Sequence, residues 1–296
     1  FGNSGPLARL LIGILATTPN IEVKLNGDRS LNKRSMKNLI TLMSDFGASF
    51  FPKNKNNFPI KMLSSNYPIG INYDAGVSAQ LKSAVLLAGL NSYGTTTVFE
   101  KERSRDHTEL MISKNKKAIK IFNKSKKIIK IFGKQQLRSF NIKVPGDPSS
   151  AAFFTALTLL SSNSQLKIKN VGLNPTRTGF YKLLKKQGAS INFTNVKKVN
   201  GEIFGDIFVK SSKIRPIKAS KIYYVNSTDE YPILFIIAAL TKGISVFKGI
   251  KDLANKESNR IKEMQKVLKQ IGIKTKSSRN ELKIIGKENL NIYKRK

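Results

Sequence analysis

A long internal repeat constrains this chain more than any other feature. Four times, a small-polar turn opens an apolar helix, the helix feeds a strand, and a polar loop with one arginine opens a second helix. The first helices start at Gly2-Asn3-Ser4-Gly5, Gly76-Val77-Ser78-Ala79-Gln80, Gly146-Asp147-Pro148-Ser149-Ser150 and Asn226-Ser227-Thr228-Asp229-Glu230; the loop arginines are Arg34, Arg105, Arg177 and Arg260. The period, roughly 70–80 residues, exceeds the usual solenoid repeats of about 20–50. Helix N-termini expose backbone N–H groups, and an arginine beside one makes an anion site. Four such corners point to an enzyme that grips several negative groups.

Composition narrows the chemistry. The 296 residues suggest about two domains, and a hydrophobic content of 40% can build ordinary cores. There is no cysteine, hence no disulfide or thiolate metal site. His107 is the sole histidine, which argues against a histidine metal centre or catalytic triad, so no metal is expected. No apolar run reaches the roughly 18 residues needed to span a membrane, and neither end reads as a signal peptide. The chain starts at Phe1 and reads as an interior fragment of a cytoplasmic protein.

The formal net charge is +35, from 53 Lys+Arg against 18 Asp+Glu. Such a balance normally signals nucleic acid. Here the lysines are scattered, and the densest stretch, Lys114 to Lys134, interleaves Ile119, Ile121, Ile128, Ile129 and Ile131. That alternation predicts two half-buried strands with a solvated lysine face. Abundant Lys, Asn and Ile together fit an AT-rich genome, so neither nucleic acid nor membrane is expected as a partner.

Each repeat reads as βαβαββ, the first strand of the first repeat lying upstream of Phe1. Predicted second helices include Arg34 to Phe46 and Ser258 to Ile271, the latter placing Arg260 one turn inside. Pro148 opens a helix to about Leu160, and Asp229 one to about Leu240. The Pro and Gly of Val144-Pro145-Gly146 mark a boundary, giving domains 1–143 and 144–296 with two repeats each. Alternating helices and strands indicate the α/β class.

Lys256-Glu257-Ser258-Asn259-Arg260 and Asp229-Glu230 before Tyr231-Pro232 are charged helix starts, each readable as an ordinary cap or as chemistry. Together with Gly2-Asn3-Ser4-Gly5 and Arg9, Lys33-Arg34, Ser78-Ala79-Gln80-Leu81-Lys82-Ser83, Ser104-Arg105-Asp106-His107-Thr108-Glu109, Pro145 to Phe153 and Asn174-Pro175-Thr176-Arg177-Thr178-Gly179, they make the chain resemble the EPSP synthase family of enolpyruvyl transferases. The Asn-Pro-Thr-Arg-Thr-Gly and Asp-Glu-Tyr-Pro segments look like its bacterial subgroup that includes glyphosate-tolerant enzymes, although Gly5 is the small residue of sensitive members.

The resemblance implies two lobes of three βαβαββ units each, four of the six being present, that close on substrate. It implies transfer of the enolpyruvyl group of phosphoenolpyruvate to the 5-hydroxyl of shikimate 3-phosphate, with release of phosphate and no cofactor, in a protein monomeric at full length. By family position, Gly5, Arg34, Gln80 and Arg260 would hold phosphoenolpyruvate. Ser78, Ala79, Gln80, Arg105, Asp229 and Lys256 would hold shikimate 3-phosphate. Asp229 would accept the hydroxyl proton, and Glu257 would protonate the enol methylene. Pro6 replaces a usual threonine, Asn259 an aspartate and Ser35 a proline. The family's terminal basic segments are absent, so residues 1–296 alone are expected to show no transfer. A UDP-sugar enolpyruvyl transferase of the same fold is disfavoured by the missing cysteine, and a basic RNA-binding protein by the lack of a basic stripe or tryptophan.

Overall fold

The computed structural model describes residues 1–123, 125–255 and 259–288, and the chain forms two compact units, Phe1–Asn141 and Ile142–Lys296. The first unit opens with α1 (Gly5–Leu15), β1 (Glu22–Leu25), α2 (Arg29–Asn32), α3 (Lys37–Asp45), β2 (Ser49–Phe51) and β3 (Ile60–Leu63). These strands form an antiparallel sheet in the order β1-β3-β2. The second repeat adds β4 (Asn72–Ala75), α4 (Ala79–Asn91), β5 (Thr95–Glu100), α5 (His107–Ile112), β6 (Ile119–Asn123) and β7 (Lys127–Phe132). Its sheet runs β4-β5-β7-β6, with β4 parallel to β5 and the other pairs antiparallel.

The second unit repeats this wiring. Its third-repeat elements are α6 (Pro148–Leu160), β8 (Gln165–Gly172), α7 (Gly179–Lys186), β9 (Ser190–Val199) and β10 (Glu202–Lys210), the sheet running β8-β10-β9. A single parallel bridge, Gly146 to Val171, stands where the second and fourth repeats place a first strand. The fourth repeat has β11 (Lys218–Ala219), α8 (Lys221–Val225), a 3₁₀ turn Thr228–Glu230, α9 (Tyr231–Ala239), β12 (Gly243–Lys248), a 3₁₀ turn Lys251–Asn255, α10 (Arg260–Gln270), β13 (Lys274–Ser278) and β14 (Glu281–Gly286). The order β11-β12-β14-β13, with β11 parallel to β12, matches the second repeat strand for strand.

The predicted lysine-rich strand pair is present: β6 and β7 pair antiparallel, with Ile129 and Ile131 fully buried. Three helix starts differ from the sequence expectation. The helix expected from Arg34 to Phe46 starts later, as α3 at Lys37, and an unexpected short helix, α2, precedes it, its first turn closed by Asp28 Oδ1 accepting the Leu31 N–H at 2.7 Å. The Met36 N–H then goes to Asn56 O at 2.6 Å instead of continuing a helix. Arg34 therefore sits in the link between them. In the fourth repeat Asn259 Oδ1 accepts the Lys262 N–H at 3.1 Å, so Arg260 opens α10 rather than lying one turn inside it. Asp229 likewise sits in the 3₁₀ turn ahead of α9, not in the α-helix.

Each core is built around a helix apolar on nearly every side. In the second unit α9 buries Tyr231, Leu234, Phe235, Ile237, Ala238 and Ala239, and the Phe235 and Phe247 rings meet edge-on at 4.9 Å. In the first unit α4 buries Ala84, Val85, Leu86 and Ala88, and with them Lys82. α1 crosses α4 closely enough that a Cβ on Gly13 would lie 2.6 Å from Ala84 O. Only glycine permits that approach, and it sets the start of α1 beside the start of α4.

Candidate active site

The start of α1 is an anion corner. Ser4 caps it, its Oγ accepting the Leu7 N–H at 3.2 Å. Arg9, one turn on, and Arg34, from the α2–α3 link, both close over Gly5. A Cβ there would lie 2.7 Å from Arg9 Nη1 and 2.9 Å from Arg34 Nη1. Arg34 Nη2 donates to Asn3 Oδ1 at 3.2 Å, and Arg9 Nη1 to Gln80 Oε1 at 2.9 Å. Of the expected site residues, Gly5, Arg34 and Gln80 are thus brought together. Arg9, a motif residue to which the family resemblance assigns no role, completes the group. Its position one turn after Gly5 was the available signal. Two planar guanidinium forks beside a helix N-terminus suit a phosphate or carboxylate.

Ser78, Ala79, Gln80 and Arg105 come from neighbouring strand ends. β4 and β5 are parallel with Ala75 opposite Glu100, so the start of α4 and the loop carrying Arg105 leave the same edge of the sheet. Ligands in open α/β sheets collect outside the carboxyl ends of parallel strands. Ser78 Oγ accepts the Leu81 N–H at 3.4 Å and so caps α4. Behind these residues lies a group of four charges that sequence reading missed. Lys82 Nζ is 2.8 Å from both Glu100 Oε1 and Glu109 Oε1, and Lys127 Nζ is 3.2 Å from Glu109 Oε1. Burial pushes the Glu100 carboxyl up, but the Lys82 charge, its hydrogen bond and those from Ser104 outweigh that and leave it below its ordinary value.

In the second unit the same wiring brings Arg260 to Asp229, with Nη1 3.6 Å from Oδ1. Asp229 leaves the β11 side and Arg260 the β12 side, and Ala219 pairs with Phe247 at the ends of those parallel strands. Lys256 and Glu257, also expected at this site, lie outside the described residues. In the third repeat Arg177 Nη2 donates to Asp147 Oδ1 at 2.8 Å and to Ser149 Oγ at 2.7 Å. Ser149 in turn donates to Glu230, the buried neighbour of Asp229. Burial raises the Glu230 carboxyl, and the Ser149 hydrogen bond and the Arg177 charge offset this only in part. The loop arginine therefore meets the first helix of its own repeat in three repeats, through Asn3, Asp147 and Asp229.

Among the described residues no helix is long and apolar enough to cross a membrane.

The sequence profile of the family described as EPSP synthase (3-phosphoshikimate 1-carboxyvinyltransferase) matches residues 1–294. A 3-phosphoshikimate 1-carboxyvinyltransferase of Thermodesulfovibrio yellowstonii is 42% identical over 287 residues, which is 96% of this chain and 66% of that protein. One from Zymomonas mobilis is 41% identical over 287 residues, 96% of this chain and 63% of the relative. This chain thus spans slightly less than two thirds of the length of these relatives. The EPSP synthase structure from Acinetobacter baumannii superposes with a TM-score of 0.80 at 36% identity, over 98% of this chain and 65% of that one. The enolpyruvyl transferase NikO from Streptomyces tendae, at a TM-score of 0.67 and 15% identity, shares the fold. Sequence match along almost the whole chain and fold match over the same span agree, and this protein belongs to the EPSP synthase family.

Proposed function

We propose that this protein transfers the enolpyruvyl group of phosphoenolpyruvate to the 5-hydroxyl of shikimate 3-phosphate and releases phosphate. The observation that carries the reading is the corner at Gly5, where the guanidinium groups of Arg9 and Arg34 close on a helix N-terminus. Phosphoenolpyruvate carries its phosphate and its carboxylate on the same central carbon, and planar forks bind both bidentately. Arg34, Gly5 and Gln80 hold phosphoenolpyruvate, with Arg260 as a further cation. Ser78, Ala79, Gln80 and Arg105 hold shikimate 3-phosphate, Ala79 through its backbone alone.

The chemistry requires one base and one acid. Asp229 takes the proton of the attacking 5-hydroxyl, whose oxygen bonds to the central carbon of phosphoenolpyruvate. The methylene carbon gains a proton, assigned to Glu257, and becomes a methyl group in a tetrahedral adduct. Loss of phosphate from the central carbon and of one methyl proton then gives the enol ether. Arg260 Nη1 stands 3.6 Å from Asp229 Oδ1, a cation beside the proposed base. No redox step or cofactor enters this balance. Lys256 holds the hydroxyl side of the ring.

Titration calorimetry of shikimate 3-phosphate into the protein tests the binding half of this reading, and a saturable heat lost in Arg105→Ala is expected. Equal heats from shikimate without its phosphate would contradict it.

A further inference from the structure

The buried charges behind α4 carry an inference that rests on the reading above. Lys82, Glu100 and Glu109 have side chains 0–1% exposed and Lys127 10%. The four charges sum to zero, yet such a group is expensive to bury and apolar replacements are often at least as stable. Its place in the chain gives it another use. Lys82 lies one turn after Ser78, its N–H on Ser78 O at 3.2 Å. Glu100 Oε1 accepts from Lys82 Nζ at 2.8 Å, from Ser104 N at 2.9 Å and from Ser104 Oγ at 2.8 Å. Ser104 immediately precedes Arg105. On the other side of that arginine, Glu109 meets Lys82 and Thr108 Oγ1 lies 2.8 Å from Ser83 Oγ. The loop is therefore pinned before and after Arg105 to the helix that carries Ser78, Ala79 and Gln80.

We propose that Lys82 and Glu100 are positioning residues that fix Arg105 against the start of α4 for the phosphate of shikimate 3-phosphate. Neither needs to touch the substrate. Lys82 sets the distance between the two halves of the subsite, and Glu100 converts that distance into the path of the loop.

The test compares two neutral double variants that leave the Lys127–Glu109 pair in place. Lys82→Met with Glu100→Leu removes the acceptor for Ser104, and Lys82→Met with Glu100→Gln keeps one. Calorimetric affinity for shikimate 3-phosphate, Tm and hydrogen exchange at residues 101–106 are measured for each. The Leu pair is expected to weaken binding at least tenfold with Tm within a few degrees of the parent, and the Gln pair to recover most of the loss. Unchanged affinity in the Leu pair, or equal losses in both that follow Tm, overturns the proposal. Should the Leu pair not fold, Ser104→Ala replaces it: weaker binding at unchanged Tm supports the role, and parental binding overturns it. A parent that binds no shikimate 3-phosphate refutes the assigned substrate instead. Exchange then decides the positioning role: loss of Ser104 protection in the Leu pair but not in the Gln pair supports it, and equal protection in both overturns it.

Discussion

Arg177 Nη2 lies 2.8 Å from Asp147 Oδ1, and the same guanidinium nitrogen reaches Ser149 Oγ at 2.7 Å. The equivalent arginine of the first repeat, Arg34, meets the neutral amide of Asn3 and the bare Cα of Gly5. One wiring thus serves two ends. In the third repeat the cation meets a carboxylate of its own repeat, and in the first it meets an amide beside the helix start where phosphoenolpyruvate is proposed to bind.

This contrast predicts different losses for the two arginines. Arg34→Ala removes a charge-assisted contact to substrate and is expected to cost about 2–5 kcal/mol in transition-state binding with little change in Tm. Arg177→Ala is expected to lower Tm and leave the KM for phosphoenolpyruvate within about twofold, since one kcal/mol is already near a factor of five. Steady-state kinetics and thermal melts on both variants check this.

Gly5→Ala places a methyl group 2.7–2.9 Å from two guanidinium nitrogens. Both are the ends of flexible chains, so the fold accommodates it while the anion corner is displaced. The KM for phosphoenolpyruvate is expected to rise about tenfold, near 1.4 kcal/mol, with circular dichroism and Tm unchanged.

Lys82→Met leaves the buried Glu100 and Glu109 to share one cation, Lys127. Breaking a buried pair by removing one partner costs about 3–5 kcal/mol. Urea unfolding should show that loss, and Glu100→Gln in the same background should restore part of it.

Acid stability follows from depressed carboxyls. Asp206 accepts from Asn170 N at 3.0 Å, Asn195 Nδ2 at 2.8 Å and Lys167 Nζ at 3.1 Å, and these bonds, the Asn170 N–H first, hold it at about 2 against an ordinary 3.8. A lowered folded pKa gives stability that is complete above the unfolded value and disappears as pH falls through the folded one. Asp206→Asn is therefore expected to lower Tm at pH 5 and above. The difference from the parent should shrink below pH 3.8 and vanish near pH 2. A difference constant across that range contradicts the assignment.

Local chemistry explains what could be read in advance. Pro148 after Asp147 marked the start of α6, because proline is tolerated in a first turn and Asp147 Oδ2 accepts the Ser150 N–H. The Lys/Ile alternation marked β6 and β7 by the two-residue period of a pleat. The four-residue α2, capped by Asp28, is too short to show an apolar period, and α10 starts at Arg260 rather than Ser258 because Asn259 provides its cap. The site was legible as motifs but not as contacts. Gly5 with Arg34, Arg9 with Gln80, and Lys82 with Glu109 are tertiary meetings set by the approach of α1 to α4 and by strand pairing. Lys82 gave no local signal, since one lysine on a helix is ordinary in a chain with 53 Lys+Arg.

The central claim is enolpyruvyl transfer carried by these residues, and phosphate release measures it most directly. The protein is residues 1–296 joined to the terminal segments of the Thermodesulfovibrio yellowstonii relative, given phosphoenolpyruvate and shikimate 3-phosphate. The account predicts phosphate release that requires both substrates and falls about 10²–10⁴-fold in Asp229→Asn, with shikimate 3-phosphate still bound. Release that ignores shikimate 3-phosphate, or an undiminished rate in Asp229→Asn, would contradict it.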